Sequence, residues 1–510
     1  MKPSTELFKL IKSLTKSEKR FFKLSSSLQS GEKNYLKIFD YIEKKNEYNE
    51  SELKLHFKNE TFIKHLPSEK NHVYKLILKS LRSYYSEQSV NSILKQDIKN
   101  VEILYNKALY RECEKFVSRA KQIAEKHEKF YYWVELINWE KKLLDSAYEA
   151  GVFSINLDKL IEEEEIVIAK LRNLAEYTVI YSKINLVFRS GGFTRNETER
   201  KVVEDIADYH LIKGKNTALS TKAASICYYI KGLCAATNRN YDDSFQFFNR
   251  AREILDENPH IKSDTGVRYV MTLFHLLRCY IDNKEFDQAK NLISDIRALQ
   301  YNKGFKSVDI SVRIFANSYN QELVMLHAKG EFQKSVALIP KIEKKQEIYK
   351  GKVSKEMELI LTYNKAYSCF GIGDFKRALL YLNDVLNDNE QKLRQDIYSF
   401  ARLFNLVIHY ELGNYEFLEY VVKSTNRYLN KQARNYEIEN ACIKQIRKLS
   451  KTPVEVNRIE IFKSLNNDIH TLLKDHNEQV VLEYFNIEAW VKSKIQKLSF
   501  EKVIQDSIKE

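Results

Sequence analysis

Lys213, Gly214, Lys215, Asn216 and Thr217 form the run that comes nearest to a phosphate-binding loop. Such a loop needs a further glycine upstream and a preceding strand, so that backbone N–H groups and a lysine cradle the phosphates. Neither stands before Lys213, which argues against that chemistry. His56, His65 and His72 are close in sequence. They fall in separate helices or loops, with no cysteine or acidic partner at metal-ligand spacing, so they read as surface histidines. Glu162 to Glu165 are four consecutive acids between apolar stripes, the pattern of a solvated helix face. Neither a dinucleotide fingerprint, a nucleophile elbow nor a zinc-protease signature occurs in the chain. The expectation is a protein without catalytic residues, metal or cofactor, which works by binding.

Basic residues are the other chemistry on offer. Lys70, Asn71, Lys75, Lys79 and Arg82 are residue types that contact phosphates and base edges. They would lie on an amphipathic helix from about Ser68 to Tyr85, after Pro67. Thr15 with Glu18, and Asn49 with Glu52, are capping-box pairs that open shorter helices upstream. Helices over 33–45, 51–58 and 68–86 could build a helix-turn-helix-like unit whose last helix presents the basic side chains. The simpler account is an N-terminal cap whose lysines are its solvated face. Charge is concentrated at the ends: residues 1–100 carry 20 Lys+Arg against 12 Asp+Glu, or +8, and residues 423–510 carry 16 against 12, or +4. The middle holds 47 against 45, or +2, which completes the net +14.

The elements that must hold these groups are helices. The chain has 510 residues but only 13 glycines and 5 prolines, where roughly 12% of the two is ordinary. Sheets and their reversals need those residues, so the shortage predicts helices joined by short loops. Length alone suggests about three domains, a limit that a repeat array escapes because each unit packs on its neighbours. Cys113, Cys227, Cys234, Cys279, Cys369 and Cys442 sit far apart in apolar helical surroundings and read as buried reduced thiols of a cytoplasmic protein. No stretch has the length and apolarity of a membrane span.

A repeat organises the middle. Gly373, Asp374, Phe375, Lys376, Arg377 and Ala378 run glycine, acid, aromatic, two polar residues, small residue. The same frame places a slot at Cys113, Asn156, Asn196, Ser244, Ala289, Ser335, Ala378 and Leu418, at gaps of 43, 40, 48, 45, 46, 43 and 40 residues. Three residues before each slot stands an aromatic: Tyr110, Phe153, Phe193, Tyr241, Phe286, Phe332, Phe375 and Tyr415. Five before it, glycine recurs at Gly151, Gly191, Gly330, Gly373 and Gly413. The physical reading is a helical hairpin. The glycine position ends one helix in the left-handed conformation, the aromatic caps the seam, and the small residue lets the two backbones approach.

This Gly-x-aromatic-x-x-Ala junction resembles that of the tetratricopeptide repeat over roughly residues 95–425, with a period of about 43 against the family's 34. The resemblance implies an all-α fold, a right-handed α-solenoid of about eight degenerate TPR-like hairpins with helical N- and C-terminal caps. In that family the first helix of each pair lines the concave face. The positions carried over by the resemblance are Tyr229, Arg278, Asn320, His327, Tyr363, Tyr367 and Tyr410, and tyrosines are common binding anchors. Inter-repeat core is the alternative reading of each. The family's lysine and asparagine clamp for a C-terminal carboxylate has no counterpart, since Tyr229, Phe274, Asn320 and Tyr363 occupy one of its positions. The stretch from Leu14 to Leu24 is also similar to helical proteins of Bacteroidota, which implies a bacterial origin and no function. After Pro453, two or three helices are expected, with Phe485, Ile487, Trp490, Val491 and Ile495 on one face as a cap. The organisation expected is 1–90, a basic N-terminal module; 91–425, the repeats; and 426–510, the C-terminal cap. The function expected is a non-enzymatic protein- or peptide-binding scaffold; the alternative is a nucleic-acid- or ribosome-associated factor that binds through the N-terminal module.

Overall fold

A computed structural model describes residues 5–27, 33–148, 157–189, 197–215, 217–388, 394–431, 436–452, 455–475 and 478–509. Among the described residues every regular element is a helix, with short 3₁₀ segments at Thr61–His65 and Glu478–Glu483. The chain forms two compact units, Met1–Ile168 and Ala169–Glu510. That division does not coincide with the boundaries expected at 90 and 425.

The repeated turn is what the sequence frame describes. Ala108, Arg239, Lys284, Gly330, Gly373 and Gly413 each stand five residues before a slot, and all six have positive φ, between 53° and 80°. The next N–H in each case reaches back to the carbonyl five residues earlier: Leu109 to Leu104, Asn240 to Ala235, Glu285 to Tyr280, Glu331 to Leu326, Asp374 to Cys369 and Asn414 to His409. These are Schellman closures, which satisfy carbonyls left over at the helix end. The aromatic follows as the first residue of the next helix, at Tyr110, Tyr241, Phe286, Phe332, Phe375 and Tyr415. The slots Cys113, Ser244, Ala289, Ser335, Ala378 and Leu418 are all buried. At the seam the Cys113 thiol approaches the carbonyl oxygen of Val101, and the Ser244 hydroxyl that of Gly232, each twelve residues upstream. Non-glycine residues tolerate the left-handed position at a cost of about 1–2 kcal/mol, so the seam and not the glycine carries the register at Ala108, Arg239 and Lys284. At Gly330 two demands coincide. Its φ is +62°, and an added Cβ would lie 2.9 Å from the Gln505 side chain and 3.0 Å from the Glu501 carbonyl oxygen.

The frame fails in two places. Glu128 also has positive φ, Lys129 N–H closes on the Ala124 carbonyl, and Phe130 opens the helix Phe130–Tyr148. This is a further turn of the same kind, hidden because buried Trp133 occupies the small-residue position. In the other, Leu157–Arg189 is one continuous helix of 33 residues where the frame expects the chain to reverse. No glycine or proline lies between 157 and 189 to break it. The slots at Asn156 and Asn196, with Phe153, Phe193, Gly151 and Gly191, lie outside the described residues.

In the first unit the helices Asn34–Lys44, Glu50–His56 and Leu66–Tyr84 match the expected three. The capping box at Thr15 is closed from both sides: Thr15 N–H donates to the Glu18 carboxylate at 2.6 Å, and Glu18 N–H to the Thr15 hydroxyl at 3.3 Å. The four-acid run is not simply a solvated face. Glu163 accepts from Lys121 and from the Trp133 indole, and Glu164 from Lys141, so two of the four tie this helix to its neighbours.

Candidate functional site

All seven side chains named from the family resemblance lie in the second unit, on first helices of successive hairpins: Thr221–Thr237, Gly266–Asp282, Val308–Ala328, Lys355–Gly371 and Gln395–Glu411. Three of them bond the next first helix along. The Tyr229 hydroxyl meets His275 Nε2 at 2.9 Å, Asn364 Nδ2 donates to Asn320 Oδ1 at 2.7 Å, and His327 Nε2 meets the Ser368 hydroxyl at 2.7 Å. The sequence separations of 46, 44 and 41 residues are one repeat each. One bond joins Thr221–Thr237 to Gly266–Asp282 and two join Val308–Ala328 to Lys355–Gly371; these orient the neighbouring helices, and at the buried His327–Ser368 bond losing one partner would strand the other.

The remaining four face the chain's own C-terminal segment, made of Glu478–Glu483 and the helices Ile487–Gln496 and Phe500–Lys509. Arg278 is ion-paired with Glu483. The Tyr363 hydroxyl donates to the Tyr484 carbonyl at 3.2 Å, and Asn486 N–H donates to the Tyr367 hydroxyl at 3.3 Å. The Tyr410 ring meets Trp490 edge-on at 5.9 Å. Phe485 and Phe500 sit among Phe332, Tyr367, Phe370 and Phe404 in one apolar cluster. Gln505 Nε2 donates to the Gly330 carbonyl at 2.9 Å, so the last helix ends against a repeat turn. Tyr229, Tyr363, Tyr367 and Tyr410 are buried within the chain. The part of the expected face that carries Arg278, Tyr363, Tyr367 and Tyr410 is covered in this conformation by residues 478–509 of the same chain.

Electrostatics follow the burial. Burial lowers His327 to about 3 and His275 to about 4, so both imidazoles are neutral hydrogen-bonding groups at neutral pH. Burial disfavours the charge on Arg278, but the adjacent Glu483 and Asp282 carboxylates outweigh it and raise its pKa. Asp396 is pushed up by burial and held below its ordinary value by the stronger combined pull of Arg394 and the Tyr484 hydroxyl. Arg394 also reaches Glu356 at 3.0 Å, which makes this a satisfied buried network. Burial raises the thiols of Cys113, Cys234, Cys279, Cys369 and Cys442, the environment of inert structural cysteines.

The N-terminal group of basic residues divides. Lys70 is buried and donates to Tyr48 and Glu50, at 2.9 and 2.8 Å, so it is a structural ion pair rather than part of an open patch. Asn71, Lys75, Lys79 and Arg82 are exposed and follow one another at i, i+4, i+8 and i+11 along Leu66–Tyr84. His56, His65 and His72 are exposed at the surface, with His72 edge-on to Tyr35 and His56 resting on Tyr41. The Thr217 hydroxyl donates to the Leu211 carbonyl beside Tyr177, which ties Thr217 down. Among the described residues no group of three or more His, Cys, Asp or Glu side chains could hold a metal ion, and no helix is long and apolar enough to cross a membrane.

Comparison of the chain with protein-family models finds none that matches, and comparison with curated proteins finds no significant similarity.

Proposed function

We propose that this chain is a non-enzymatic, cytoplasmic scaffold of TPR-like helical hairpins, an α-solenoid over its repeat region, that binds a protein or peptide along the tyrosine-bearing face of its first helices. The observation that carries this reading is the occupant already on that face. Residues 478–509 lie across it as a polypeptide, held by main-chain bonds to Tyr363 and Tyr367 and by aromatic anchors at Phe485, Trp490 and Phe500. Aromatic anchors in apolar pockets, with tyrosine hydroxyls reading the backbone, are how peptide-binding faces work. A partner would use the same pockets in competition with this segment.

The test uses a chain ended at Asp475 and a labelled peptide of residues 478–509. The shortened chain is expected to keep its helical circular-dichroism signal and to bind the peptide saturably, while the full chain, already filled, does not. If the shortened chain loses its cooperative melt, the segment is an indispensable part of the core and the peptide-face reading fails.

A second reading, a nucleic-acid- or ribosome-associated factor, is favoured by the exposed stripe Asn71, Lys75, Lys79 and Arg82 on one helix face. Under it, reversing Lys75, Lys79 and Arg82 to glutamate abolishes a low-salt gel shift and leaves the melting temperature unchanged, because exposed charges contribute little to stability. A wild-type chain that shifts neither DNA nor RNA at low salt removes this reading.

A further inference from the structure

Tyr181 lies on the part of helix Leu157–Arg189 that belongs to the second unit, and its ring meets that of Tyr229 edge-on at 5.8 Å. The same helix also reaches Gly266–Asp282. The Arg268 guanidinium stands 5.8 Å from the Tyr181 ring centroid, and Phe188 meets His275 at 5.3 Å. Both pairs advance by seven residues, so these two helices run in the same direction. Tyr229 lies between them, bonded to His275 at 2.9 Å. The three helices bound a recess with Tyr229, 4% exposed, as its floor. Arg268, Tyr181, Phe188 and His275 are half-buried and form its walls.

Arg268 is the unusual member of that recess. Among the described residues its guanidinium makes no hydrogen bond and no ion pair, and its one close contact is the Tyr181 ring. Solvent reaches its nitrogens, which are not sealed in the interior. Burial lowers its pKa, and the groups opposing this are two tyrosines, Tyr181 and Tyr229, rather than a carboxylate. Arg278 shows the contrast, ten residues on and about 15 Å along the same helix. It holds Asp282 of its own helix and Glu483 of the resident segment 478–509. Burial disfavours that charge too, but the two carboxylates outweigh it.

We propose that Arg268 anchors a carboxylate of an acidic peptide partner in the recess between Tyr181, Tyr229 and His275, a proposal that rests on the peptide-binding reading of this face. A recessed guanidinium has given up water without gaining an acceptor, and a planar carboxylate supplies both the bonds and the opposite charge. The resident segment sets the precedent, since Glu483 reaches Arg278 as a side chain of a docked polypeptide. Among the described residues no contact joins that segment to Arg268, so the second acid must come from another molecule. Nucleic acid draws its affinity from several cations in a row along its phosphates. One guanidinium among aromatic rings suits a single acid instead. Tyr181 and Phe188 beside it favour an aromatic or apolar neighbour of that acid, the form that Glu483 and Tyr484 already have.

The experiment selects a phage-displayed library of random 12-residue peptides on the full chain and, in parallel, on its Arg268→Gln variant. Peptides enriched on the wild type should carry Asp or Glu beside an aromatic or apolar residue. The strongest is synthesised with both ends capped and measured by fluorescence anisotropy. Changing its acid to the amide, or Arg268→Gln in the protein, should each weaken binding about thirtyfold or more, the loss when one partner of a recessed charge pair is removed. Arg268→Lys should recover part of the affinity, because it keeps the charge and loses the planar fork. Arg268→Gln should melt no lower than wild type, since no bond within the chain is lost. A clear fall in its melting temperature would make Arg268 a packing residue and overturn the proposal. Enriched peptides that lack an acid, or that bind wild type and Arg268→Gln alike, overturn it and leave the peptide-face reading standing. No enrichment on the full chain also overturns it, and if the chain ended at Asp475 enriches none either, that reading falls as well. Binding of 20-nucleotide oligo(dT) that Arg268→Gln abolishes would overturn it in favour of a phosphate ligand.

Discussion

Ala378→Asp is expected to destabilise the second unit by about 3–5 kcal/mol, the cost of a buried charge without a partner. Ala378 is fully buried three residues into the helix Phe375–Leu386. It stands at the position where the Cys113 thiol and the Ser244 hydroxyl approach a backbone carbonyl of the preceding helix. A carboxylate there faces carbonyl dipoles and the apolar cluster, with no cation to compensate it. Urea denaturation followed by circular dichroism measures the loss. Ala378→Ser is the control: its hydroxyl can repeat the bond that Ser244 makes, so it should cost far less. A change below about 0.5 kcal/mol for the aspartate variant, the range of ordinary surface substitutions, would mean that Ala378 is not at a helix–helix seam.

Trp490→Ala carries the second large expectation, a loss of about 3–5 kcal/mol for removing a buried aromatic. The Trp490 ring is 1% exposed and packs edge-on to Tyr410 and Phe462. Its indole N–H donates to the Glu411 carboxylate at 2.6 Å, beside Lys494 at the other oxygen. Deletion leaves both a cavity and a half-satisfied buried acid. Trp490→Phe separates the two contributions: it keeps much of the packing and loses only the bond, for about 1–3 kcal/mol. If Trp490→Ala melted like wild type, the C-terminal segment would have to be detached in solution.

The hairpin turns were legible because their information is local. An aromatic, two polar residues and a small residue specify a helix start and a seam within six positions, and the left-handed residue before them follows even where it is Arg239 or Lys284. Where a local signal was replaced, the reading failed. Trp133 hid a turn that the backbone nevertheless makes, and the missing breaker after Leu157 let one helix run through an expected reversal. The face carrying Phe485, Ile487, Trp490, Val491 and Ile495 was visible as an apolar stripe, although Phe485 stands before the helix Ile487–Gln496, but what covers it was not. Trp490 finds Glu411 across 79 residues, and Gln505 finds Gly330 across 175. Periodicity reports that a face is buried and says nothing of a partner so distant.

The return of the last helix to Gly330 also orders events in time. A ribosome adds about 5–20 residues per second, so the 175 residues between Gly330 and Gln505 take roughly ten to thirty seconds to synthesise. Hairpins close in microseconds once their residues have emerged. Once Phe404 is made, Phe332, Tyr367, Phe370 and Phe404 can fold against one another, and they lack Phe485 and Phe500 above them until residue 500 follows about 5–20 seconds later. The nascent protein therefore carries a sticky aromatic surface until Phe485 and Phe500 are made. That surface makes this stage of synthesis the moment at which the chain is most exposed to aggregation or to capture by a chaperone.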